Sequence, residues 1–212
     1  VIIAIDGPAA AGKGTLARSL AKHLSFAYLD SGSLYRAVAL NLIISNLDPN
    51  NEADLIKASK DIALELLDDT RLRDEATGRL ASQVAANKKV RENLLHFQQN
   101  FASNPPHGKI GAVIDGRDIG SVVCPTAQVK LFVTASAEER AKRRLLELEG
   151  RGLSAEYQTI LNDIEARDKQ DSERQVSPLV QADDAILLDT TNLNAEKVFN
   201  TALGLIKATN LV

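Results

Sequence analysis

The chain has 212 residues, 44% of them hydrophobic, with 28 acidic against 25 basic side chains and a formal charge of −3. That length can bury one main core with a smaller appendage, and the slight acidity excludes broad attraction to nucleic acid or to an anionic membrane surface, so any bound anion must be met by a local cluster of cations. A single cysteine, Cys124, excludes an internal disulfide, and no apolar run reaches the roughly 20 residues that span a bilayer, so a protein of a reducing, cytoplasmic compartment with no membrane or nucleic-acid partner is expected.

The run from Val1 to Ile5 is continuously apolar and β-branched, which predicts a strand buried on both faces in mid-sheet. It begins at the first residue of a chain without methionine, and so reads as a processed or trimmed end. After a glycine-rich turn, Leu16, Leu20 and Leu24 recur every four residues with Ala17 and Ala21 beside them, the stripe of an amphipathic helix. "FAYLD" at 26–30 predicts a short strand ending in an acid, and Ser33 to Asn46 a helix, broken by the polar stretch "LDPNNEAD" at 47–54. Residues 53–67 and 76–103 carry helical periodicity, the latter interrupted where Asn87 can cap a new start. The region holds no convincing buried strand. "KIGAVIDGRD" at 109–118 and "VKLFVTA" at 129–135 predict two more buried strands. Ser136 and Glu139 predict a capping box for the basic helix that Gly150 and Gly152 stop, followed by a helix over 154–173, a last strand at 185–189 and a last helix at 195–208. Five strands joined mainly by helices predict an α/β, doubly wound parallel sheet flanked by helices, with residues 1–44 and 106–212 as its core and 45–105 as an inserted region.

The turn after the first strand reads "GPAAAGKGT" and runs through Gly7, Pro8, Ala9, Ala10, Ala11, Gly12, Lys13, Gly14 and Thr15. Between a buried strand and an amphipathic helix, its glycines let backbone N–H groups approach phosphate oxygens, the helix N-terminus adds partial positive charge, and Lys13 adds a full one. The loop resembles that of nucleoside monophosphate kinases, in which glycine follows the lysine and threonine comes next. Translocating and switch-type nucleotide hydrolases place a hydroxyl directly after the lysine to hold Mg²⁺. With Thr15 one position later, the expectation is that Thr15 and backbone amides contact the donor phosphates, while Mg²⁺ is held mainly by phosphate oxygens and water.

Phosphoryl transfer also needs an acceptor held in line, and both partners are anions. Three arginine clusters qualify. "DSGSLYR" places Asp30, Ser31 and Gly32 at a strand end with Tyr35 and Arg36 one turn into the next helix, although taken alone a capped helix with a surface arginine is the favoured explanation. "DGRDIG" puts Asp115, Arg117 and Asp118 in a glycine-flanked turn beyond a buried strand. "EARDKQDSER" spaces Arg167, Asp171 and Arg174 at i, i+4 and i+7 on one helix face, where the plain alternative is a solvated ion pair worth roughly 0.2–0.5 kcal/mol.

Taken together, "DGPAAAGKGT", "LDSGSLYR", "ASQVAANKKVRE", "DGRDIG" and "ARDKQDSER" cover the chain from end to end, and in this order they resemble the bacterial cytidylate kinases. The resemblance implies the P-loop nucleoside monophosphate kinase fold with a short lid at about 145–154, a monomer, and transfer of the γ-phosphoryl of ATP, with Mg²⁺, to CMP or dCMP in pyrimidine nucleotide supply. It implies that Arg36, Arg117 and Arg174 hold the acceptor phosphate, that Arg167, Asp171 and Ser31 lie at the sugar, and that Ser82, Arg91 and Asp118 read cytosine. Asp118 can accept from the 4-amino group that uracil lacks, so UMP is disfavoured. Ser82 and Arg91 are nine residues apart and face opposite ways on one straight helix, so this reading requires a break near 85–88. Among Arg140, Arg143, Arg144 and Arg151 one or two are expected to cover ATP, with Arg143 and Arg144 preferred. Asp115 either orients Mg²⁺ waters or holds its turn.

The chain departs from the family pattern by being shorter between "LELLDD" at 64–69 and "TRLRDEATGRLASQ" at 70–83, through natural abbreviation or a loop missing at the junction of 68–71. Adenylate kinase shares the loop but not the combination of "DSGSLYR" with "DGRDIG", and a regulatory module that hydrolyses ATP slowly is disfavoured because no hydroxyl directly follows Lys13 and no switch segment is recognisable. Cys124 reads as a small buried hydrophobe, and His23, His96 and His107 have no metal-ligand spacing.

Overall fold

The first apolar run becomes the central strand of a five-stranded parallel sheet, with Ile3, Ala4 and Ile5 fully buried. The computed structural model describes residues 1–60, 66–67 and 69–209. In chain order its elements are β1 (Ile2–Asp6), α1 (Lys13–Leu24), β2 (Ala27–Asp30), α2 (Ser31–Ile44), α3 (Glu52–Lys60), a 3-10 turn (Thr70–Arg73), α4 (Glu75–Val84), α5 (Lys88–Ser103), β3 (Ala112–Gly116), a π-helical turn (Ile119–Val123), β4 (Val129–Thr134), α6 (Ala137–Gly150), α7 (Tyr157–Glu173), β5 (Ile186–Asp189) and α8 (Ala195–Lys207). A further short turn spans Pro106–Gly108.

By its contacts the chain divides into two units, Val1–Leu29 with Pro105–Val212, and Asp30–Asn104. In the first, the strand order is β2-β3-β1-β4-β5. Ile2 to Asp6 run in parallel opposite Ala112 to Gly116 of β3, and Ile3 to Asp6 opposite Val129 to Phe132 of β4. The connection leaving β1 turns toward β2 and that leaving β4 toward β5, so the order reverses between β1 and β4, where open α/β sheets form their ligand crevice. The apolar stripe of α1 (Leu16, Ala17, Leu20, Ala21) packs in one core with Ile3, Ile5, Val113 and Leu131 of the sheet and with Val198, Ala202 and Ile206 of α8. Each large aliphatic side chain buried there contributes about 1.5–3 kcal/mol.

Helices α6 and α7 form a satellite core through Ala141, Leu148, Ile160 and Ile164. Arg140, 5% exposed, staples it: its two terminal nitrogens donate to Asp168 of α7 at 2.9 and 2.6 Å, Nε donates to Ala135 O at 2.9 Å, and Nη1 reaches Ala9 O at 3.3 Å. The predicted capping box is half formed. Ser136 Oγ accepts from Glu139 N at 3.3 Å, but the Glu139 carboxylate turns to Arg143, and the Ser136 N–H donates instead to Thr191 Oγ1 at 3.0 Å.

Apart from Asp30 at the end of β2, the regular elements described in the second unit are all helical, joined by turns. Helix α2 groups with it rather than with the sheet, because Ala37 and Leu40 pack on Leu72 and Asn41 Nδ2 donates to Ala58 O of α3 at 3.1 Å. Asn93 Nδ2 of α5 donates to Ser59 Oγ at 2.7 Å, closing the group. The predicted interruption is there: α4 ends at Val84, and Asn87 starts α5 by accepting from Val90 N at 3.1 Å. Residues 61–65 of the helix expected over 53–67, and residue 68 at the shortened junction, lie outside the described residues.

Arg140→Ala leaves two carbonyls and a carboxylate without their donor, and should lower stability by about 3 kcal/mol, read from the midpoint of urea unfolding.

Candidate functional site

The glycine-rich turn leaves β1 at the reversal of strand order. Gly7 has φ 145°, and a Cβ on it would stand 1.9 Å from Val133 O of β4, so only glycine lets the loop cross the neighbouring strand. Gly12, at φ 88°, starts α1 in the left-handed region. Lys13 is buried, and its Nζ donates to Pro8 O at 2.7 Å across the loop. Gly14 is different: its backbone is helical, and a Cβ there would meet Arg18 Nη1 at 3.4 Å and the Tyr28 hydroxyl at 3.7 Å, ordinary contact distances. Arg18 donates to Tyr28 at 3.4 Å, and the Tyr28 hydroxyl donates to Asp115 Oδ1 at 2.9 Å, so Asp115 is tied to β2.

Beyond β3, four of the sequence-predicted residues form one charged group, with Arg167 close enough to act on it. Arg117 Nε donates to Asp171 Oδ2 at 2.7 Å, and its Nη1 to Gly116 O at 3.2 Å. Arg174 stands 3.9 Å from Asp171 and 4.0 Å from Asp118, separations of charge contact rather than of hydrogen bonds. Burial pushes the Asp171 carboxyl up, but the charge and hydrogen bond of Arg117, with the charges of Arg167 and Arg174, outweigh it and hold the group below the usual carboxylate range. Three guanidinium groups around two carboxylates leave an excess of positive charge suited to a phosphate. The expected shared helix face is corrected in one respect. Arg174 is the residue that ends α7, with extended backbone (φ −63°, ψ 140°), and Nε donates to Ser177 O, so it reaches Asp171 from the turn rather than from the helix.

In the helical unit, Asp30 caps α2 by accepting from both the amide and the hydroxyl of Ser33, with Ser31 buried next to it. Arg36 Nη1 donates to Leu72 O at 2.9 Å. Arg91 is buried, lies over the Tyr35 ring at 5.3 Å from its centroid, and donates to Ala85 O at 3.2 Å. Ser82 Oγ donates back to Gly78 O on α4, so Ser82 and Arg91 are on separate helices, as the base-reading assignment requires. On α6, Arg143 binds Glu139 and donates twice to Thr190, at 2.9 Å to Oγ1 and 2.6 Å to O, with Nη1 4.0 Å from where a Gly12 Cβ would be. Arg144 pairs with Glu147 on its own helix at 2.9 Å, and Arg151 is exposed.

Sequence reasoning missed Asp6, Asp168 and Thr190. Asp168 and Thr190 carried no signal, being ordinary residues of a helix and a strand end whose partners Arg140 and Arg143 lie far away in sequence. Asp6, the last residue of β1, accepts from Ile119 N at 2.8 Å and from Gly120 N at 2.7 Å. Burial, partly offset by these two hydrogen bonds, pushes its carboxyl up from 3.8 to about 6.

A family model described as cytidylate kinase matches residues 3–208. Cytidylate kinase of Paramagnetospirillum magneticum is 56% identical over 97% of this chain and 97% of its own length. Those of Rhodospirillum rubrum and Xanthobacter autotrophicus are 49% and 50% identical, over 97% and 98% of each chain. Among solved structures, an uncharacterized protein from Eubacterium ventriosum superposes with a TM-score of 0.58 over 98% of both chains at 15% identity, a likeness of fold alone.

Because its folded-state pKa is raised, Asp6 contributes most to stability below pH 4 and loses that contribution as pH rises through about 6. The unfolding free energy of the protein relative to its Asp6→Asn variant should therefore fall by about 3 kcal/mol between pH 4 and pH 7, measured by urea titration at each pH.

Proposed function

Because the chain belongs to the cytidylate kinase family, it transfers a phosphoryl group from ATP to CMP or dCMP, and we propose that it does so with the residues assembled above. The observation that carries the assignment is the excess of guanidinium charge around Asp171, in the same unit as the phosphate loop. In the reaction the bond between the γ-phosphorus of ATP and its bridging oxygen breaks, one forms to a phosphate oxygen of CMP, and ADP leaves.

Residues 7–15 hold the donor phosphates through their amides and Lys13, with Arg143 and Arg144 on the ATP side. Arg36, Arg117 and Arg174 hold the acceptor phosphate, Arg167, Asp171 and Ser31 its sugar, and Ser82, Arg91 and Asp118 its base, with Tyr35 supporting Arg91. The chemistry is positioning and charge neutralisation, and an arginine at the transferring group is worth about 10³–10⁵ in rate. The donor set beside the loop, the Thr15 hydroxyl and the Asp115 carboxylate, consists of hard oxygens that fit Mg²⁺. Both are assigned to its outer shell, since Asp115 is already committed to Tyr28. Bound with ATP, that ion would neutralise charge on the β- and γ-phosphates. We place the protein in the cytoplasm as a monomer. No helix among the described residues is long and apolar enough to cross a membrane, and Cys124 is buried, its thiol pushed up to about 11 by burial and then by the Asp6 charge.

Coupled ADP release should be supported by CMP and dCMP, with kcat/KM for UMP and AMP lower by about a hundredfold or more. An enzyme without CMP-dependent turnover would sink the assignment. Thr15→Ala should lower kcat/KM for ATP roughly tenfold, and unchanged ATP kinetics would remove Thr15 from the donor site.

A further inference from the structure

Asp6 stands at a junction that neither the phosphate loop nor the arginine cluster accounts for. It is the residue directly before Gly7, and its carboxylate is held by two successive amides of a turn more than a hundred residues away. Two adjacent N–H groups aimed at one anion fix both the distance and the tilt of the segment that carries them. Gly120 makes the approach possible, because a Cβ there would lie 3.3 Å from Asp6 Oδ2 and 3.1 Å from Lys130 Cδ. The turn itself is tightly closed: Asp118 O accepts from Val122 N at 2.9 Å and Val123 N at 3.1 Å, and Ile119 O accepts from Cys124 N at 2.7 Å. A closed turn gripped at Ile119 and Gly120 transmits its placement to the two residues preceding them, Arg117 and Asp118.

We propose that Asp6 is a positioning residue which locks the Arg117–Asp118 turn to the start of the phosphate loop, so that acceptor and donor are held in register by one carboxylate. The proposal rests on the reading that Arg117 and Asp118 contact the acceptor. Asparagine at position 6 can accept only one of the two N–H bonds and presents its own N–H₂ to the other. A displacement of the turn on the scale of an ångström is enough to cost about a hundredfold in rate.

The test uses the full-length Asp6→Asn and Gly120→Ala variants, the second crowding the same contact while keeping the carboxylate. In each, kcat/KM for CMP should fall roughly ten- to a hundredfold while KM for ATP stays within about twofold. Exchange of the Ile119 and Gly120 amides should speed up at least about tenfold, with the β3 amides of Val113 and Ile114 within about twofold. Unchanged CMP kinetics, or ATP and CMP constants that worsen together, would overturn it, as would exchange that rises equally in β3 and the turn. If Asp6→Asn does not fold, Gly120→Ala decides by the same readouts. Absence of CMP turnover in the unsubstituted protein would instead defeat the acceptor reading, and amide exchange alone would then decide whether Asp6 clamps the turn.

Discussion

The close passage of the backbone at Gly7 over Val133 O is the constraint from which the site follows, since no side chain fits between them. It puts the phosphate loop directly across the reversal point of the sheet, with the start of α1 and Lys13 at the crevice. Arg143 and Thr190 can then approach the loop from the β4–β5 side, and Asp6 can reach the turn after β3 on the other. A sheet with a different strand order would bring different partners to the same loop.

Carboxylates at strand ends organise what surrounds that crossing. Asp30 and Asp189 accept from amides two or three residues ahead, and thereby start the segments that follow them. Asp115 accepts from a tyrosine on another strand, and Asp6 from a turn on the far side of the chain. The same residue type at the last position of a strand, or in Asp115 the last but one, is thus used locally twice and over long range twice. Only the local uses have a signature that can be read along the chain.

That division explains what was legible beforehand. The loop between strand and helix, the five strands, and the break at Asn87 are short-range patterns and could be read from periodicity, glycines and a capping residue. That Arg117, Asp118, Asp171 and Arg174 gather was expected only through the resemblance, which assigns all four to one acceptor, because their spacing along the chain does not bring the two motifs together. Arg174 was put on the helix face by its i, i+7 spacing from Arg167, although the helix expected over 154–173 stops one residue before it, as it does in the structure. The Glu139 half of the capping box failed because Arg143 competes for the carboxylate and Thr191 for the amide. Asp6, Asp168 and Thr190 depend on partners brought by the fold. Gly14 also looks different in three dimensions: its backbone is helical and a Cβ would meet Arg18 and Tyr28 at ordinary contact distances, so neither the turn nor the packing requires a glycine there.

Helix α7 carries Asp168 and Asp171 three residues apart. The first grips Arg140, which holds the carbonyl of Ala9 in the phosphate loop, and the second grips Arg117 beyond β3. At about 1.5 Å of rise per residue, these two attachment points are separated along the axis by about 4.5 Å. The helix therefore ties the loop that follows β1 and the turn that follows β3 to two points less than one turn apart on a single rigid backbone.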